Sequence, residues 1–571
     1  MTIELTKEQR DIGRDNYVRT TEGLTRRGFM KSLVAGAAVV PVSAAVYFGY
    51  ESLHGKPVKA ALIGGGDEGG VLVGAHNPEY LQFIAVCDIR PSNMTRIFNG
   101  DPKVPALRKG LIPMYGANDA NRIRRYTDYN EMLSKESEIE AVVIATPLFW
   151  HAKMAIDAML AGQKRGRPIH VLCEKLMGWN ISLCKKMCQV AEATGSILSI
   201  GHQRHYSMLY AHATEILKND VLGDVKYIRA LWHRNNAWPY LPDEKEKDNL
   251  VKEVVQPFYK DGWFNPVFHE DYDALQGKIK DYGYDSVEEL VRWRCTNETG
   301  GGLMAELGSH QLDACSIFLG HIHPIAVTGV GGKYFYGRPP SDGETNDYGF
   351  KTNFNDRDCD DHVSLIYEFP GKNHPRGPAR PDGSHGSDAN DIVLVTYSSI
   401  NTNGFESYGE CVTGTRGTMV VEREASVMLY PEKNPAIKGP ADPRAITVTV
   451  DPAGTGKPAL DSSSTWGPAV SAGGAGAGPT GGAAGVEISR GYKEEIEDFA
   501  FCVRQWQKGL EYKKQRLPRC PGEVAMVDAI IALTANQAMQ KRQRIEFKDA
   551  WFDPNKTDVP DGDTTPKIPV A

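Results

Sequence analysis

A glycine-rich turn is predicted between a strand and a helix near residue 64. The apolar run 58–63 ends at three glycines with G-x-G-x-x-G spacing, Gly64, Gly66 and Gly69. The next apolar run ends at Asp88, 19 residues beyond the last of these glycines. Glycines at this spacing let a pyrophosphate approach the backbone at a helix N-terminus, and the acid can accept hydrogen bonds from a ribose. The pattern predicts dinucleotide binding rather than a merely structural turn; Asp88 favours NAD because it would repel a 2′-phosphate, whereas Arg90 leaves NADP open.

Polar side chains also follow two later apolar runs. Glu174 and Lys175 end the run HVLCEK, and Thr146, Pro147 and His151 follow the run AVVIATP. In a doubly wound sheet the carboxyl ends of the strands form the ligand crevice, so these groups are expected to face the nicotinamide. The alternative is a solvated Glu-Lys pair at a strand end.

A third polar group falls on a predicted helix. At 100° per residue, His310 lies about 40° around the helix from Glu306, and Asp313 lies about 20° to the other side. The three side chains are therefore expected to share one face. A histidine beside a carboxylate is a usual general base near neutral pH. The alternative is a surface stripe with an i,i+4 Glu-His pair.

The elements that must position these residues fall into two regions. From residue 58 to about 198, apolar runs alternate with helical patterns, which predicts a parallel sheet covered on both faces. From about residue 225, the runs VKYIRALWH, HVSLIYEF, DIVLVTYSSI and GTMVVER alternate with period two, which predicts a largely antiparallel sheet with one covered face. Helices are predicted over 492–507 and 521–540. Residues 453–485 are mostly Gly, Ala, Ser and Pro, which is typical of a flexible excursion.

The N-terminal region resembles an export signal. Arg26 and Arg27 in TRRGFMK precede an uncharged run from Ser32 to Tyr50. Paired arginines before an apolar stretch predict export by the twin-arginine machinery to the periplasm, or tethering to the outer face of the cytoplasmic membrane. The alternative is a short membrane helix with a basic flank.

Composition excludes several classes of protein. The chain has 571 residues, 41% of them apolar and 24% charged, as in ordinary globular proteins. A net charge of -7 without a basic block argues against nucleic-acid binding. The ten Cys form no C-x-x-C pair, and no His or carboxylate pairing has the spacing of metal ligands, so no metal site is expected.

These motifs together resemble the Gfo/Idh/MocA oxidoreductase family. The resemblance runs from about Val58 to the C-terminal helices and includes GGGDEG, VCDIRPSN, ATP with a downstream His, CEK, GHQRHY and GGGLMAELGSHQLD. It implies an α/β fold: an N-terminal Rossmann domain with a doubly wound parallel sheet, then a C-terminal α/β domain with an open, mostly antiparallel sheet. The expected division is 1–55 for the signal, 56–200 for the Rossmann domain, 201–550 for the substrate domain and 551–571 for a tail.

The resemblance also assigns roles to residues. Lys175 matches the family's catalytic lysine and His310 its catalytic histidine. Glu306 stands where members usually have Asp, and Leu176 replaces the usual Pro after Glu-Lys. The family implies nicotinamide-dependent oxidation or reduction of sugars, polyols and glycosides, commonly by a homo-oligomer.

A mechanism follows from these assignments. Neutral His310 would accept the hydroxyl proton, and Lys175 would stabilise the developing alkoxide. Glu306 would orient the imidazole, and Asp313 would bind a neighbouring hydroxyl. Five further residues are expected to line the carbohydrate pocket: Gln203, Arg204, Tyr206, Trp232 and His233.

Two alternatives stay open. One is an NAD-dependent glycosidase that oxidises a hydroxyl transiently, eliminates the glycosidic bond and re-reduces the product. The other is a non-catalytic nucleotide-binding protein. If the protein is exported folded, the dinucleotide should be loaded before export and stay bound through the cycle.

Overall fold

A computed structural model describes residues 5, 7–25, 44–51, 53, 55–234, 238–240, 248–251, 258–260, 263–338, 357–432 and 490–563. The predicted twin-arginine pair, Arg26 and Arg27, and the predicted excursion 453–485 lie outside these residues. Within the described ranges, no helix has the length and apolar character needed to span a membrane.

The first sheet has six strands, all parallel, in the order β3-β2-β1-β4-β5-β6. The strands β1 to β6 are Val58–Ile63, Leu81–Cys87, Arg124–Tyr126, Ala141–Ile144, His170–Glu174 and Leu198–Gly201. Five coincide with the apolar runs, and their burial is nearly continuous, as expected for a sheet covered on both faces. The sixth, β3, is a polar edge strand of three residues, which no apolar run could reveal.

Helices connect and cover these strands. The helices α1 to α9 are Lys7–Thr25, Ala44–Phe48, Asp67–Ala75, Pro91–Asn99, Leu111–Tyr115, Ala117–Ala120, Tyr129–Lys135, His151–Lys164 and Ile181–Thr194. Local capping fixes their ends: the Asn180 side chain accepts a hydrogen bond from Leu183 N at 2.8 Å at the start of α9, and Gly195 adopts the left-handed conformation at its end. The predicted parallel α/β architecture is confirmed.

The second sheet has eight strands in the order β15-β14-β13-β7-β12-β11-β10-β16, and β8 pairs with β9 separately. The strands β7 to β16 are Val225–His233, Trp238–Tyr240, Phe258–Lys260, Ala326–Gly332, His362–Pro370, Ile392–Ile400, Tyr408–Gly414, Gly417–Glu422, Ser426–Pro431 and Ile545–Glu546. In this sheet only the β7–β12 pair among the described strands is parallel. Buried and exposed residues alternate along β11 and β12, which confirms the predicted sheet with one covered face.

The remaining helices cover that face and return to the first sheet. The helices α10 to α16 are Met208–Lys218, His269–Leu275, Val287–Val291, Asn297–Gly300, Ser309–Phe318, Tyr492–Gln505 and Gly522–Lys541. A π-helical turn, Met304–Gly308, runs directly into α14. Helix α15 packs on β1, β2 and β5, and α16 packs on β6, β10 and α14. Both C-terminal helices begin within one residue of their predicted starts, and α16 joins the two sheets because it contacts a strand of each.

Both ends of the described chain are also packed. Arg10 on α1 forms an ion pair with Glu422 on β14 at 2.9 Å. Lys185 on α9 donates hydrogen bonds to the backbone oxygens of Ala550, Lys556 and Asp558. The segment after residue 550 is thus held against the first sheet's outer helix.

Candidate active site

A cleft of about 1230 Å³ opens at the carboxyl edge of the six-stranded sheet. Its other wall comes from the segment between β9 and β10, including Arg294 and Glu306. The predicted cofactor residues that line the cleft are Gly64, Gly66, Asp88, Arg90, Thr146, Pro147, His151, Glu174 and Lys175. The strand ends therefore bring most of the predicted nucleotide site together.

The three glycines of the turn each meet a different steric demand. Gly64 has a φ of +97°, and a Cβ there would lie 2.3 Å from Ala145 O. A Cβ on Gly69 would lie 2.1 Å from Gly64 O, so this position holds α3 close to β1. Gly66 is open: a Cβ would meet only Asn93 Nδ2, at 3.9 Å, beside the cleft. The turn therefore leaves its backbone accessible at the N-terminus of α3, as a dinucleotide pyrophosphate requires.

Asp88 is held at the cleft edge by three donors. Gly65 N and Asn93 Nδ2 donate to Oδ2 at 2.6 and 3.1 Å, and Arg90 N donates to Oδ1 at 2.7 Å. Burial raises the pKa of Asp88, and this effect outweighs the hydrogen bonds that lower it. The carboxylate is thereby fixed next to the glycine turn, where an adenosine ribose would bind.

The Arg90 guanidinium is occupied by a carboxylate that the sequence did not reveal. Its Nε and Nη2 donate to Asp271 Oδ2 at 3.0 and 2.9 Å, and Asp271 is fully buried on α11. Ser92 N and Oγ also donate to Asp271. Asp271 therefore neutralises Arg90, the cation that left NADP open in the sequence.

Lys175 lies at the end of β5 and lines the cleft from a buried position. Its Nζ donates to Glu306 O at 2.8 Å and lies 3.5 Å from Glu306 Oε2. Burial lowers the pKa of Lys175, while the carboxylates of Glu306 and Glu174 oppose that shift. A buried ammonium is thus held by a carboxylate from the opposite wall.

Glu306 lies between two cations. Arg294 Nε donates to its Oε1 at 2.6 Å, while Lys175 faces Oε2. Burial alone would raise the pKa of Glu306, but Arg294 and Lys175 lower it to about 2. The described contacts of this carboxylate are therefore with cations of the cleft wall, not with the His310 imidazole that it was expected to orient. Arg294 is a site residue for which the sequence offers no signal.

His310 lies deeper than expected. It is 1% exposed and is not among the described residues that line the cleft. Its ring centroid lies 5.5 Å from that of Trp232, and its backbone oxygen accepts a hydrogen bond from Arg204 Nη1 at 2.5 Å. Burial, together with the charges of Lys175 and Arg204, lowers the pKa of His310 well below 6.5. The imidazole is therefore neutral at physiological pH.

Asp313 belongs to a different environment from Glu306. It is 1% exposed and accepts a hydrogen bond from His205 Nε2 at 2.7 Å. Residues 304–308 form a π-turn, whose i→i+5 bonding departs from the regular helix on which one shared face was predicted, and that shared face stays a prediction.

The predicted carbohydrate residues are not among the described cleft-lining residues, and two of them, Arg204 and Trp232, contact His310. The five predicted residues are Gln203, Arg204, Tyr206, Trp232 and His233. Arg204 pairs with Glu410 and Glu424, Trp232 stacks on Tyr408 at 4.6 Å, and His233 Nε2 is 2.8 Å from Ser398 Oγ. Four of the five are buried. Arg204, Trp232 and His233 use their side chains in these contacts, whereas neither amide atom of Gln203 has a hydrogen-bond partner among the described residues.

His151 connects two of the loops at the strand ends. Its Nδ1 lies 2.8 Å from Leu176 O and its Nε2 lies 2.8 Å from Thr146 O. The Lys175–Leu176 peptide bond is cis. Burial lowers the pKa of His151. This side chain thus links the loop after β4 to the loop that carries Lys175.

Comparisons with known proteins agree with this architecture. Residues 58–202 match the GFO_IDH_MocA family model, described as an oxidoreductase family with an NAD-binding Rossmann fold. A 1-carboxy-3-chloro-3,4-dihydroxycyclohexa-1,5-diene dehydrogenase from Comamonas testosteroni is 27% identical over 31% of this chain and 40% of its own. A glycosyl hydrolase family 109 protein from Stenotrophomonas maltophilia is 25% identical over 35% of this chain and 41% of its own. The chain therefore spans less than half the length of these two relatives.

A solved structure extends the likeness in fold beyond the first domain. The NAD binding oxidoreductase from Klebsiella pneumoniae superimposes with a TM-score of 0.50 over 86% of this chain and 100% of its own, at 16% identity. At that identity the likeness concerns the fold alone. Residues 58–202, with their glycine turn, Asp88 and parallel sheet, thus match the NAD-binding Rossmann fold of the GFO_IDH_MocA oxidoreductase family.

Proposed function

We propose that this protein is an NAD-dependent oxidoreductase that acts on a hydroxyl group of a sugar or polyol. The observation that carries the proposal is the position of Lys175. It lies on the wall of the nucleotide cleft, is 5% exposed, and is held by Glu306 from the facing segment. A cation placed there suits the negative charge that develops on a substrate oxygen when its carbon loses hydride.

Different residues of the chain would perform the separate steps of this reaction. When bound, NAD would supply the hydride acceptor. The protonated form of Lys175 would stabilise the alkoxide, and Glu306, compensated by Arg294, would hold the lysine in place. Neutral His310 would accept the hydroxyl proton, and since it lies behind the described cleft wall, a side-chain rotation or an intervening water would complete that path.

Product analysis tests this assignment. The protein is incubated with NAD and a panel of sugars, polyols and glycosides, and the products are identified by mass. The proposal expects a product that has lost two hydrogens from one substrate class, with an equal amount of NADH. If the protein binds NAD but leaves every compound of the panel unchanged, the non-catalytic alternative is favoured.

Replacing Asp88 with Ala is expected to weaken NAD binding by about 1–3 kcal/mol, the scale of a lost charged hydrogen bond. The preference for NAD over NADP should narrow at the same time, because a charge that repels the 2′-phosphate is removed. Calorimetric titration of both dinucleotides measures the two effects. Asp119→Ala, which changes an exposed carboxylate paired with Arg122, is the matched control. Unchanged affinity in the Asp88 variant would place the ribose elsewhere.

A second function is supported by the similarity to a glycosyl hydrolase family 109 protein. Transient oxidation acidifies the neighbouring C–H, elimination then breaks the glycosidic bond, and re-reduction returns the hydride. The same Lys175 and His310 would serve both chemistries. The mass analysis separates them: a cleaved glycoside without net NADH indicates the redox-neutral cycle, and an oxidised sugar with NADH indicates simple dehydrogenation.

Export by the twin-arginine route is proposed from TRRGFMK and the apolar run that follows. Changing both Arg26 and Arg27 to Lys is expected to retain the protein in the cytoplasm, as measured by cell fractionation. A double Lys-for-Arg variant at Arg122 and Arg124, on the folded domain's surface, is the control and should be exported normally. Undiminished export of the first variant would refute the signal.

Retention of NAD through the cycle is proposed together with export. A folded protein delivered to a compartment without an NAD pool must carry its dinucleotide. Denaturing freshly purified protein and assaying the supernatant should release close to one NAD(H) per chain. If the purified protein contains no NAD(H) and consumes added NAD in proportion to the product formed, retention is contradicted and an ordinary dehydrogenase is favoured.

A further inference from the structure

A second polar cluster lies outside the described lining of the cleft, where the two sheets meet. His202 follows β6, Asp313 lies on α14 and Asp528 lies on α16. They are 0%, 1% and 0% exposed. One potential ligand atom from each lies within 4.8 Å of the other two. Three groups able to bind a cation therefore converge from three elements in a site closed to solvent.

The cluster is only partly satisfied by hydrogen bonds within the described protein. Neither ring nitrogen of His202 and neither carboxylate oxygen of Asp528 makes a hydrogen bond of standard geometry there, although Asp313 approaches both residues and Ser316 approaches Asp528. His202 Nδ1 lies 3.6 Å from Asp313 Oδ2, beyond standard hydrogen-bonding distance. Buried polar groups are almost always well paired, so these loosely paired atoms leave room for an additional group between them.

The spacing suits a metal ion. Zinc binds nitrogen and carboxylate oxygen at about 2.0–2.2 Å, which places the ligand atoms of a tetrahedral site about 3.4 Å apart. The 3.6 Å from His202 Nδ1 to Asp313 Oδ2 is close to this ligand-to-ligand distance. The ligand atoms of the three residues all lie within 4.8 Å of one another, so binding would require only a small inward movement of the side chains. Two carboxylates and one divalent cation also leave no net charge in the buried site.

Asp313 is oriented for this role by a neighbouring histidine. His205 Nε2 donates to Asp313 Oδ1 at 2.7 Å, and the His205 ring stacks on His321 with centroids 5.4 Å apart. The other oxygen, Oδ2, is the one that faces His202. A ligand held in this way by a second residue is usual around protein-bound metals.

We propose that His202, Asp313 and Asp528 bind one divalent cation of the zinc class, with His205 positioning Asp313. The ion would join the end of β6 to α14 and α16, and would fix the helix that carries His310. The three ligands lie more than 100 residues apart along the chain. No short ligand spacing in the sequence could therefore indicate this metal site.

Metal reconstitution of the full-length protein tests the proposal independently of its activity. The protein is treated with a chelator, exchanged into Co²⁺ or Zn²⁺, freed of excess metal, and analysed by elemental mass spectrometry. The expected result is close to one metal per chain, with visible absorption of four- or five-coordinate Co²⁺ and a higher unfolding temperature in Zn²⁺. Wild-type protein that holds less than about a tenth of an equivalent of either metal would overturn the site.

Variants locate the ion. Asp528→Asn and His202→Ala should each lose the Co²⁺ absorption, and His205→Ala should weaken Co²⁺ binding about 10–100-fold. Glu495→Gln is the matched control, because Glu495 is also fully buried with unpartnered oxygens but lies outside the trio. Full metal content in both ligand variants would place the ion elsewhere and overturn the proposal. If those variants do not fold, the wild-type measurement alone decides.

Discussion

Lys175→Ala is expected to lower turnover by about 10²–10⁴-fold while the protein keeps its fold and its bound nucleotide. The lysine is a buried cation that lines the same cleft as the glycine turn. Its removal does not leave an unpaired buried carboxylate, since Glu306 retains Arg294 at 2.6 Å. The loss should therefore appear in kcat rather than in stability.

The measurement is kcat with the best substrate of the panel, together with NAD content after denaturation. Lys135→Ala is the control, because Lys135 pairs with Glu131 on the surface and is not among the described residues lining the cleft. Turnover of Lys175→Ala within about twofold of the parent would remove the lysine from the chemistry.

His310→Ala is expected to lower turnover by a similar factor of about 10²–10⁴, since it removes the proposed proton acceptor. Only the neutral imidazole can accept a proton. Burial and the nearby cations Lys175 and Arg204 hold the pKa of His310 well below 6.5. The parent enzyme should therefore keep its rate between about pH 6 and pH 8 and lose it only as pH falls through that lowered pKa.

The pH profile separates a proton acceptor from a packing residue. The acid limb should be absent from the residual activity of His310→Ala. His212→Gln is the control, because burial also lowers the pKa of His212, but that residue lies on α10 against Tyr47 and has no part in the proposed chemistry. An unchanged rate and profile in the His310 variant would contradict the assignment.

Most strands of the fold were predictable from the sequence, because a long apolar run indicates a buried strand. The runs ending at Ile63, Cys87 and Ile144 became neighbouring parallel strands. The edge strand Arg124–Tyr126 was missed because it buries no apolar side chain, and Ala326–Gly332 was missed because glycines interrupt its pattern. A strand that is stabilised mainly by hydrogen bonds to its neighbouring strands cannot be recognised from the hydrophobicity of its own residues.

The site residues were predictable where a short sequence motif is enough to identify them. The glycine turn and Lys175 were identified because a strand end places them at the cleft directly. Arg294 and Asp271 were not, since their roles depend on pairing with Glu306 and Arg90 across the fold.

The π-turn Met304–Gly308 was not predicted, because a regular helical wheel does not represent it. Glu306 lies on the cleft wall, and Asp313 lies in the buried cluster with His202. Tertiary pairing and helix irregularity, rather than composition, therefore limited the prediction of the site.

The central claim is that hydride passes between a substrate carbinol and NAD in the cleft that Lys175 lines. Rapid mixing of the NAD-loaded protein with each sugar, polyol and glycoside, while following the near-ultraviolet absorbance of NADH, tests it most directly. The account predicts a rise for at least one substrate class, sustained for a dehydrogenase or transient for a redox-neutral glycosidase, and no rise in Lys175→Ala. Protein that binds NAD yet forms no NADH, transient or sustained, with any member of the panel would contradict it.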